Sequence, residues 1–420
     1  MIVQHLNYSD ISGGAARAVY RIHQALRRHQ MDSVMGVASK LSDDWSVFGP
    51  LGRVGKAMVQ LQSILAAAFV RLLHTNNGVL HSPALFPLRR PKHLANLRPD
   101  ILHLHWVCGE MLSIRQIGRL SGPVVWTLHD MWPFCGAEHY TEDFRWREGY
   151  ASNNRPSYES RLDLNRWVWE RKRKYWKRHF HIVTPSRWLA QCVRESALMR
   201  GWPVTVIPNS LNTDVWAPVE RSFARRLLGL PQDEPLVLFG ALRGGQDLIK
   251  GFDLLRASLE HLRDQRADLR LLVFGQSAPR KPEDLGFPVH YLGHLHDDLS
   301  LRILYSAADV MVIPSRQDNL PNTGVEALSC GTPVVAFDTC GLPDIVSHHV
   351  TGYLAKAFDT EDLAAGIEWV LADSRRYAVL SRNSRVDALA RFSEEVVAPQ
   401  YVAVYESAIA GQRDAGHDCS

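Results

Sequence analysis

The sequence has no long apolar run. Its longest apolar stretch, MVQLQSILAAAFV (58–70), is too short to span a bilayer and carries Gln60 and Gln62. That excludes a polytopic membrane protein and leaves two readings for the stretch, a core helix or a segment lying in a membrane interface. The opening residues, MIVQHLNYSD, lack a basic segment followed by an apolar one, so no secretory signal is expected. The six cysteines stand at 108, 135, 192, 330, 340 and 419, with no C-x-x-C pair and no regular framework. Isolated cysteines in a chain of this size read as reduced, buried thiols of a cytosolic protein. Short-period repeats are absent, and the composition is not that of a fibrous or disordered chain: 46% hydrophobic and 22% charged residues are ordinary for a globular protein.

What is present is length and charge asymmetry. The 420 residues suggest two domains, at roughly 100–200 residues each. Each is large enough to bury a core without disulfide or metal staples. The net charge of +4 hides a division: residues 1–200 hold 28 Lys+Arg against 15 Asp+Glu, and residues 201–420 hold 20 against 29. A basic half of +13 and an acidic half of −9 imply that the first half faces something anionic, whether phosphate headgroups, a phosphorylated acceptor or nucleic acid.

Hydrophobic patterning gives the fold class. MIVQHLN reads as a strand, SDISGGAA as a turn, and ARAVYRIHQALRRH as an amphipathic helix with Val19, Ile22 and Leu26 on one face. SVMGVA, DILHLHWV (100–107), GPVVWTLHD (122–130) and FHIVTPS (180–186) are further strands, the last followed by a helix from Trp188. Breakers Pro208, Asn209, Asn212 and Pro218 mark a linker at 205–218. The rhythm then restarts with PLVLFGAL, LRLLVFG, HYLGHL, VMVIPS and TPVVAF. Strands alternating with helices predict α/β architecture: two doubly wound parallel sheets, residues 1–204 and 219–392, facing each other across a cleft. A helix over 393–410, kinked at Pro399, is expected to pack back on the first domain, with 411–420 a disordered tail.

The richest stretch for chemistry is IPSRQDNLPNTGVEALSCGTPVVAFDTCGLPDIV (313–346). It reads as a strand, a polar loop, a helix from about Thr323, and a second strand. The loop NLPNTG offers backbone N–H groups at a helix N-terminus, a ready anion site. Asp318 lies at the mouth of that loop and Glu326 on the first turns of the helix, where a carboxylate can accept two hydroxyl hydrogen bonds. The plainer alternative is a turn residue and a helix-dipole carboxylate.

PSRQDNLPNTGVEALSCGTPVVAF resembles the donor-site signature of glycosyltransferase family 4, retaining enzymes of the GT-B fold, and its D-N-L-P variant looks most like bacterial exopolysaccharide enzymes of the colanic-acid type. The resemblance extends over most of the chain: GGAARA (13–18) to the N-terminal glycine loop, VVWTLHDMWPF (124–134) to a strand end, VTPSRWLA and VIPNSLNTDVWAP to the interdomain region, and LFGALRGGQDLIKGFDLL (238–255) to the diphosphate loop.

The roles it implies transfer by position. Glu326 holds the ribose hydroxyls of a nucleotide sugar. Asp318, one methylene shorter than the family Glu, lies near the transferred sugar. Asn319, Leu320, Pro321, Asn322 and Thr323 bring backbone amides to the sugar and phosphates, and Gly240 opens the diphosphate loop. Lys250 and Arg243 neutralise the leaving diphosphate, although Arg243 stands seven residues before Lys250 and the family spacing is six. His129 contacts the donor sugar near the reacting carbon. Gly13, Gly14 and Arg17 belong to the glycine loop; His105 and Trp106, which end the preceding strand, read from that position alone as lining the acceptor side. The chain has no D-x-D pair, so no metal and no cofactor are expected, and cationic side chains serve instead. The departing phosphate itself is implied to take the acceptor's proton.

Departures from the family pattern are Cys340 in place of a glycine, Asp344 in place of a Glu, and Cys135 alone where relatives carry a cysteine cluster. The run RLDLNRWVWERKRKYWKRHFH (161–181) is basic and aromatic. It reads either as a solvated amphipathic helix or as a surface for anionic lipid on the cytoplasmic face, suited to a lipid-diphosphate-linked glycan acceptor. The partners expected are thus a nucleotide sugar, such a glycan and an anionic membrane surface, for a cytoplasmic or peripheral enzyme of exopolysaccharide or O-antigen assembly. Two alternatives stand beside this reading: a nucleic-acid-binding protein using 161–181, against which no nucleic-acid fold signature appears, and another GT-B enzyme such as an epimerase or phosphorylase.

Overall fold

Nearly every strand of this protein pairs in parallel, as apolar strands separated by helices require. A computed structural model describes residues 1–50, 52–86, 98–240, 248–263, 265–281, 284–295 and 297–417. The chain divides into two units, Met1–Asn209 with Val397–Ser420, and Ser210–Val396.

The first unit contains β1 (Ile2–Ser9), β2 (Asp32–Ser39), β3 (Val47–Phe48), β4 (Leu73–His74), β5 (Ile101–Leu104), β6 (Val124–Thr127), β7 (Ser160–Arg161), β8 (His181–Thr184) and β9 (Val204–Val206). Seven form a sheet in the order β3-β2-β1-β5-β6-β8-β9, and β4 pairs antiparallel with β7 apart from it. The chain winds outward from β1 in one direction and from β5 in the other. The switch point therefore falls between β1 and β5, where open parallel sheets place their ligand sites.

Alternation along the strands sorts the sheet's two faces. Leu102, Leu104, Trp126 and Ile182 point into one apolar cluster, rich in tryptophan: Trp132, Trp146, Trp169, Trp176 and Trp202. Val3, Ile101, Val125 and Val183 point to the other face. There they meet Ile22 and Leu26 of the Gly14–Arg28 helix and Val397, Ala398, Tyr401, Val404 and Tyr405 of the last helix.

The second unit contains β10 (Leu236–Gly240), β11 (Arg270–Phe274), β12 (Val289–Tyr291), β13 (Val310–Ile313), β14 (Val334–Phe337) and β15 (Gly352–Ala355), in the order β12-β11-β10-β13-β14-β15. Its switch point lies between β10 and β13. Its core is one contiguous cluster, from Leu236, Val310 and Val334 on the strands to Leu259, Leu304 and Leu328 on helices.

The two α/β units carry the expected fold class. Several expected boundaries move. The assigned linker at 205–218 contains most of β9, because Val204 and Val206 still pair with Ile182 and Thr184. The helix expected from Trp188 begins at Arg187, where Ser186 accepts the Leu189 N–H as its N-cap. The last helix spans Glu394–His417 with Pro399 inside it, so residues 411–417 continue a helix where a disordered tail was expected.

Candidate functional site

In the second unit the site is built at the switch point. β13 ends at Ile313, a polar loop follows, and the helix Asn322–Ser329 starts with Pro321 at its N-cap and no capping side chain. Gly324 makes this possible: a Cβ there would stand 2.9 Å from Ile313 Cδ1 and 3.0 Å from Ile345 Cγ2. The first turn thus packs closely on the Ile313 and Ile345 side chains, which a larger residue at 324 would have to push aside.

A second glycine brings in the lysine. Lys250 ends the short 3-10 turn Leu248–Lys250, and Gly251 adopts φ 67°, with an added Cβ only 1.9 Å from the Pro314 carbonyl oxygen. Only glycine fits there. Arg316 ties the two loops together: its guanidinium donates to both Asp253 oxygens at 2.8 and 2.6 Å and to the Leu248 carbonyl, and its backbone N–H donates to Ile249 O at 2.8 Å. Those bonds hold the Asp253 carboxyl below its usual range. In consequence Lys250 Nζ sits 2.6 Å from Asp318 Oδ2. Ser315 Oγ donates weakly to the same oxygen at 3.4 Å, and the Asp318 carbonyl accepts the Gly341 N–H at 3.0 Å.

Glu326 is buried, and its Oε2 accepts the hydroxyl of Tyr305 at 2.8 Å. Tyr305 is itself fully buried, with its carbonyl accepting Thr332 Oγ1 at 2.6 Å. Asn319 is buried in the loop, and the Leu320 side chain belongs to the apolar core, so only its backbone can face a ligand. Pro321, Asn322 and Thr323 are half-buried. Gly240 ends β10, where a Cβ would strike the Phe274 ring at 2.7 Å. Arg243 lies outside the described residues.

Cys340 stands where the family glycine was expected, and its φ of 51° is in the left-handed region. The backbone there keeps the shape of a glycine turn while bearing a side chain.

The first unit gathers its residues at the C-terminal ends of β1, β5 and β6. After β1, Asp10 is fully buried and accepts backbone N–H groups of Ile11, Leu41 and Ser42 at 3.0, 3.0 and 2.8 Å. This pins the glycine loop. Gly13 follows at φ 92° as N-cap of the Gly14–Arg28 helix, with Arg17 on its first turn. After β5, the Trp106 N–H donates to Asn7 Oδ1 at 2.9 Å and its indole N–H to Asp130 Oδ2 at 2.9 Å. Burial raises the Asp130 pKa, but His139 at 2.6 Å, the Trp132 N–H and the Trp106 indole outweigh it and keep the carboxyl below its usual range.

After β6, His129 is half-buried, and burial lowers its pKa to about 4 against a small opposing pull from Asp130. His105 was expected to line the acceptor side. Its ring is only 2% exposed and lies behind His129, so the correction follows from side-chain direction: His105 points to the buried face of the sheet.

The basic-aromatic run divides between core and surface. Trp169, Trp176 and Lys172 are buried, and Lys172 Nζ donates to the carbonyls of Trp132, Cys135 and Gly136, the last two at 3.0 and 2.7 Å. Arg173, Lys174, Lys177 and Arg178 remain exposed. The 58–70 stretch lies in the helix Gly52–Val70, which buries Val59 and Ala66 and exposes Met58, Leu61, Ile64 and Leu65. Phe69 of that helix packs on Trp167 of the basic helix, ring centroids 5.4 Å apart. Among the described residues no helix is long and apolar enough to cross a membrane.

Tyr305, Gly251, Arg316 and Asp10 were missed by sequence reasoning. The Lys-Gly and Gly-Val-Glu pairs were the only signals pointing toward two of the close approaches.

Comparison with known proteins follows the same division of the chain. A family described as "Glycosyltransferase Family 4" matches residues 12–215, and one described as "Glycosyl transferases group 1" matches residues 235–373. The D-inositol 3-phosphate glycosyltransferase of Xylanimonas cellulosilytica is 34% identical over 344 residues, 76% of this chain and 75% of that protein. Among solved structures, sucrose-phosphate synthase from Thermosynechococcus elongatus is similar with a TM-score of 0.67 at 19% identity, covering 98% of this chain and 100% of the other. Anabaena HepE in complex with UDP-glucose is similar with a TM-score of 0.60 at 17% identity, covering 97% and 100%. At such identities the solved structures share the fold.

Proposed function

The chain belongs to glycosyltransferase family 4 and is a hexosyltransferase using a nucleotide sugar; on that premise we propose retaining transfer of a monosaccharide from a UDP- or GDP-sugar to a lipid-linked glycan of exopolysaccharide or O-antigen assembly. The observation that carries the donor side is Lys250 at 2.6 Å from Asp318, beside the N-terminus of the helix that bears Glu326. As the anomeric carbon–phosphate oxygen bond breaks, negative charge grows on the diphosphate. The Lys250 ammonium and the helix-end amides stabilise it where it grows. Glu326 accepts the ribose hydroxyls, oriented by Tyr305. Asp318 accepts sugar hydroxyls once phosphate oxygens compete for its lysine. The acceptor oxygen bonds to the anomeric carbon on the face the phosphate leaves, and its proton passes to the departing phosphate oxygen. No divalent ion takes part in this proposal; Lys250, with Arg243, does that work.

We assign acceptor recognition to the C-terminal edge of the first sheet, around Gly13, Gly14, Arg17, Trp106 and His129. The exposed apolar stripe Met58, Leu61, Ile64 and Leu65, beside the exposed cations of the 164–175 helix, supports an anionic membrane as the place where the acceptor is met, at the cytoplasmic face. A second reading rests on the relative named D-inositol 3-phosphate glycosyltransferase: a soluble phosphorylated polyol would also suit the basic first half.

The test is a thermal-shift screen of UDP-, GDP- and ADP-sugars, then transfer of label from the stabilising donor to membrane-lipid extract or to D-inositol 3-phosphate, with and without EDTA. EDTA-resistant transfer to the lipid fraction is expected. Transfer to the polyol alone selects the second reading, and no stabilisation by any nucleotide sugar rejects both.

A further inference from the structure

Three imidazoles, His5, His103 and His105, stand together on the face of the first sheet that the last helix covers, and a fourth, His129, lies beside them beyond the end of β6. His5 of β1 is the register partner of His103 of β5, and His105 and His129 follow at the ends of β5 and β6. His5, His103 and His105 are at most 2% exposed. Both nitrogens of His103 are occupied: Nδ1 by the Tyr405 hydroxyl and Nε2 by Thr127 Oγ1, each at 2.8 Å.

The other three rings form a chain. His5 Nδ1 lies 2.9 Å from His105 Nε2, and His105 Nδ1 lies 3.4 Å from His129 Nε2. Burial pushes the pKa of all three down, so they are neutral near pH 7. The groups facing them are His23, His103, Tyr401 and Tyr405, with Asp130 the carboxylate next to His129.

A neutral imidazole has one N–H and one lone pair. In a chain linked Nδ1 to Nε2 to Nδ1 to Nε2, the choice at one ring fixes the rest. Either all three carry the proton on Nδ1, or all three carry it on Nε2. The buried end decides between them. His5 Nε2 is enclosed with no hydrogen-bond partner. Orphaned buried N–H donors are rarer than unsatisfied acceptors, so His5 keeps its lone pair there and its proton on Nδ1. His105 then donates from Nδ1 to His129 Nε2.

We propose that His5 and His105 are positioning residues that fix the tautomer of His129 with its proton on Nδ1, making it a hydrogen-bond donor to a ligand oxygen. Under the glycosyltransferase reading that oxygen belongs to the sugar or its phosphate; the tautomer itself depends only on the chain of rings. Free imidazole prefers the opposite tautomer, so the arrangement does work that solvent would not.

The experiment is a long-range 1H–15N spectrum of the full chain labelled at histidine, without ligand, from pH 6 to 8. His5, His105 and His129 are expected to share the Nδ1–H pattern, with all three rings neutral across this range. His105→Leu should return His129 to the Nε2–H tautomer. Should His105→Leu fail to fold, His5→Leu, at the far end of the chain, tests the same coupling. An Nε2–H or mixed pattern in the wild-type chain overturns the proposal, as does a His129 signal unmoved in a folded variant. Zinc shifting the His5, His103 and His105 signals together would also overturn it, since their nitrogens lie within 4.8 Å of one another and would then be metal ligands. The spectra need no turnover, so a failure of the tautomer proposal is distinguishable from a failure of the transferase reading.

Discussion

Lys250 and Asp318 are 68 residues apart in sequence and 2.6 Å apart in space. Each is held by groups with no other evident purpose: Gly251 against Pro314, and Arg316 bridging to Asp253. An ammonium paired with a carboxylate is a poor phosphate ligand until the pair is opened. Binding and transfer should therefore separate on mutation. Lys250→Ala should lower kcat/KM by about 100-fold, the scale of one lost charge-stabilising donor. Asp318→Asn should leave nucleoside diphosphate affinity equal or tighter while transfer falls. Calorimetry with UDP and GDP beside turnover distinguishes the two, and an Asp318→Asn variant that binds more weakly would argue against competition for the lysine.

Tyr305 sits wholly inside the second unit, yet its hydroxyl reaches Glu326 at 2.8 Å. Tyr305→Phe removes one hydrogen bond to the carboxylate, so nucleotide affinity should drop about 5-fold, near 1 kcal/mol. Glu326→Ala should cost more. Equal losses in the two variants would mean that Tyr305 acts through packing instead.

Cys340 bears a side chain at φ 51°. Cys340→Gly should relieve the left-handed strain and stabilise the chain by about 1 kcal/mol, read as a Tm higher by about 2–4 °C. A lower Tm would show that the thiol's contacts outweigh the backbone cost.

The stripe Met58, Leu61, Ile64 and Leu65 should take the chain to anionic vesicles. Leu61→Asp with Ile64→Asp should abolish co-sedimentation with phosphatidylglycerol vesicles and leave donor binding unchanged. High salt should weaken the wild-type interaction. Failure to sediment, together with a concentration-dependent dimer that the double variant lacks, would assign the stripe to a second copy.

Acid should unfold this protein early. Burial pushes His5, His23, His103 and His105 below their ordinary pKa, His23 to about 4. The unfolded chain binds protons on these rings below about pH 6.5, and the native chain does not. Their stability is complete above that value and is lost as pH falls toward 4. Urea melts at pH 7.5, 6, 5 and 4.5 check this; a flat series would refute it.

The strand–loop–helix around Asp318 and Glu326 was legible because periodicity changes abruptly there and glycine and proline punctuate it. The short β3 and the antiparallel pair β4 and β7, two residues each, carry no periodicity to read. Lys172 was misread by company: within RKRK it looks solvated, but it faces three carbonyls that only the fold assembles. His105 was misassigned because a strand's end says which residue is last, not which face its side chain takes. Tyr305 belongs to no motif, and helix Asp298–Ala307 gives it only the pattern of a core residue.

The last helix supplies Tyr401 and Tyr405 to the same apolar cluster as Val3 and Ile101, and Tyr405 bonds His103 across 302 residues. During synthesis, then, the first sheet has no lid for its histidine face until residues 397–405 have followed the whole of the second unit. The second unit, contiguous from Ser210 to Val396, meets no such delay. The order of birth and the order of maturation are reversed, and a chain clipped before Val397 would lose not the half it was cut from but the half at its other end.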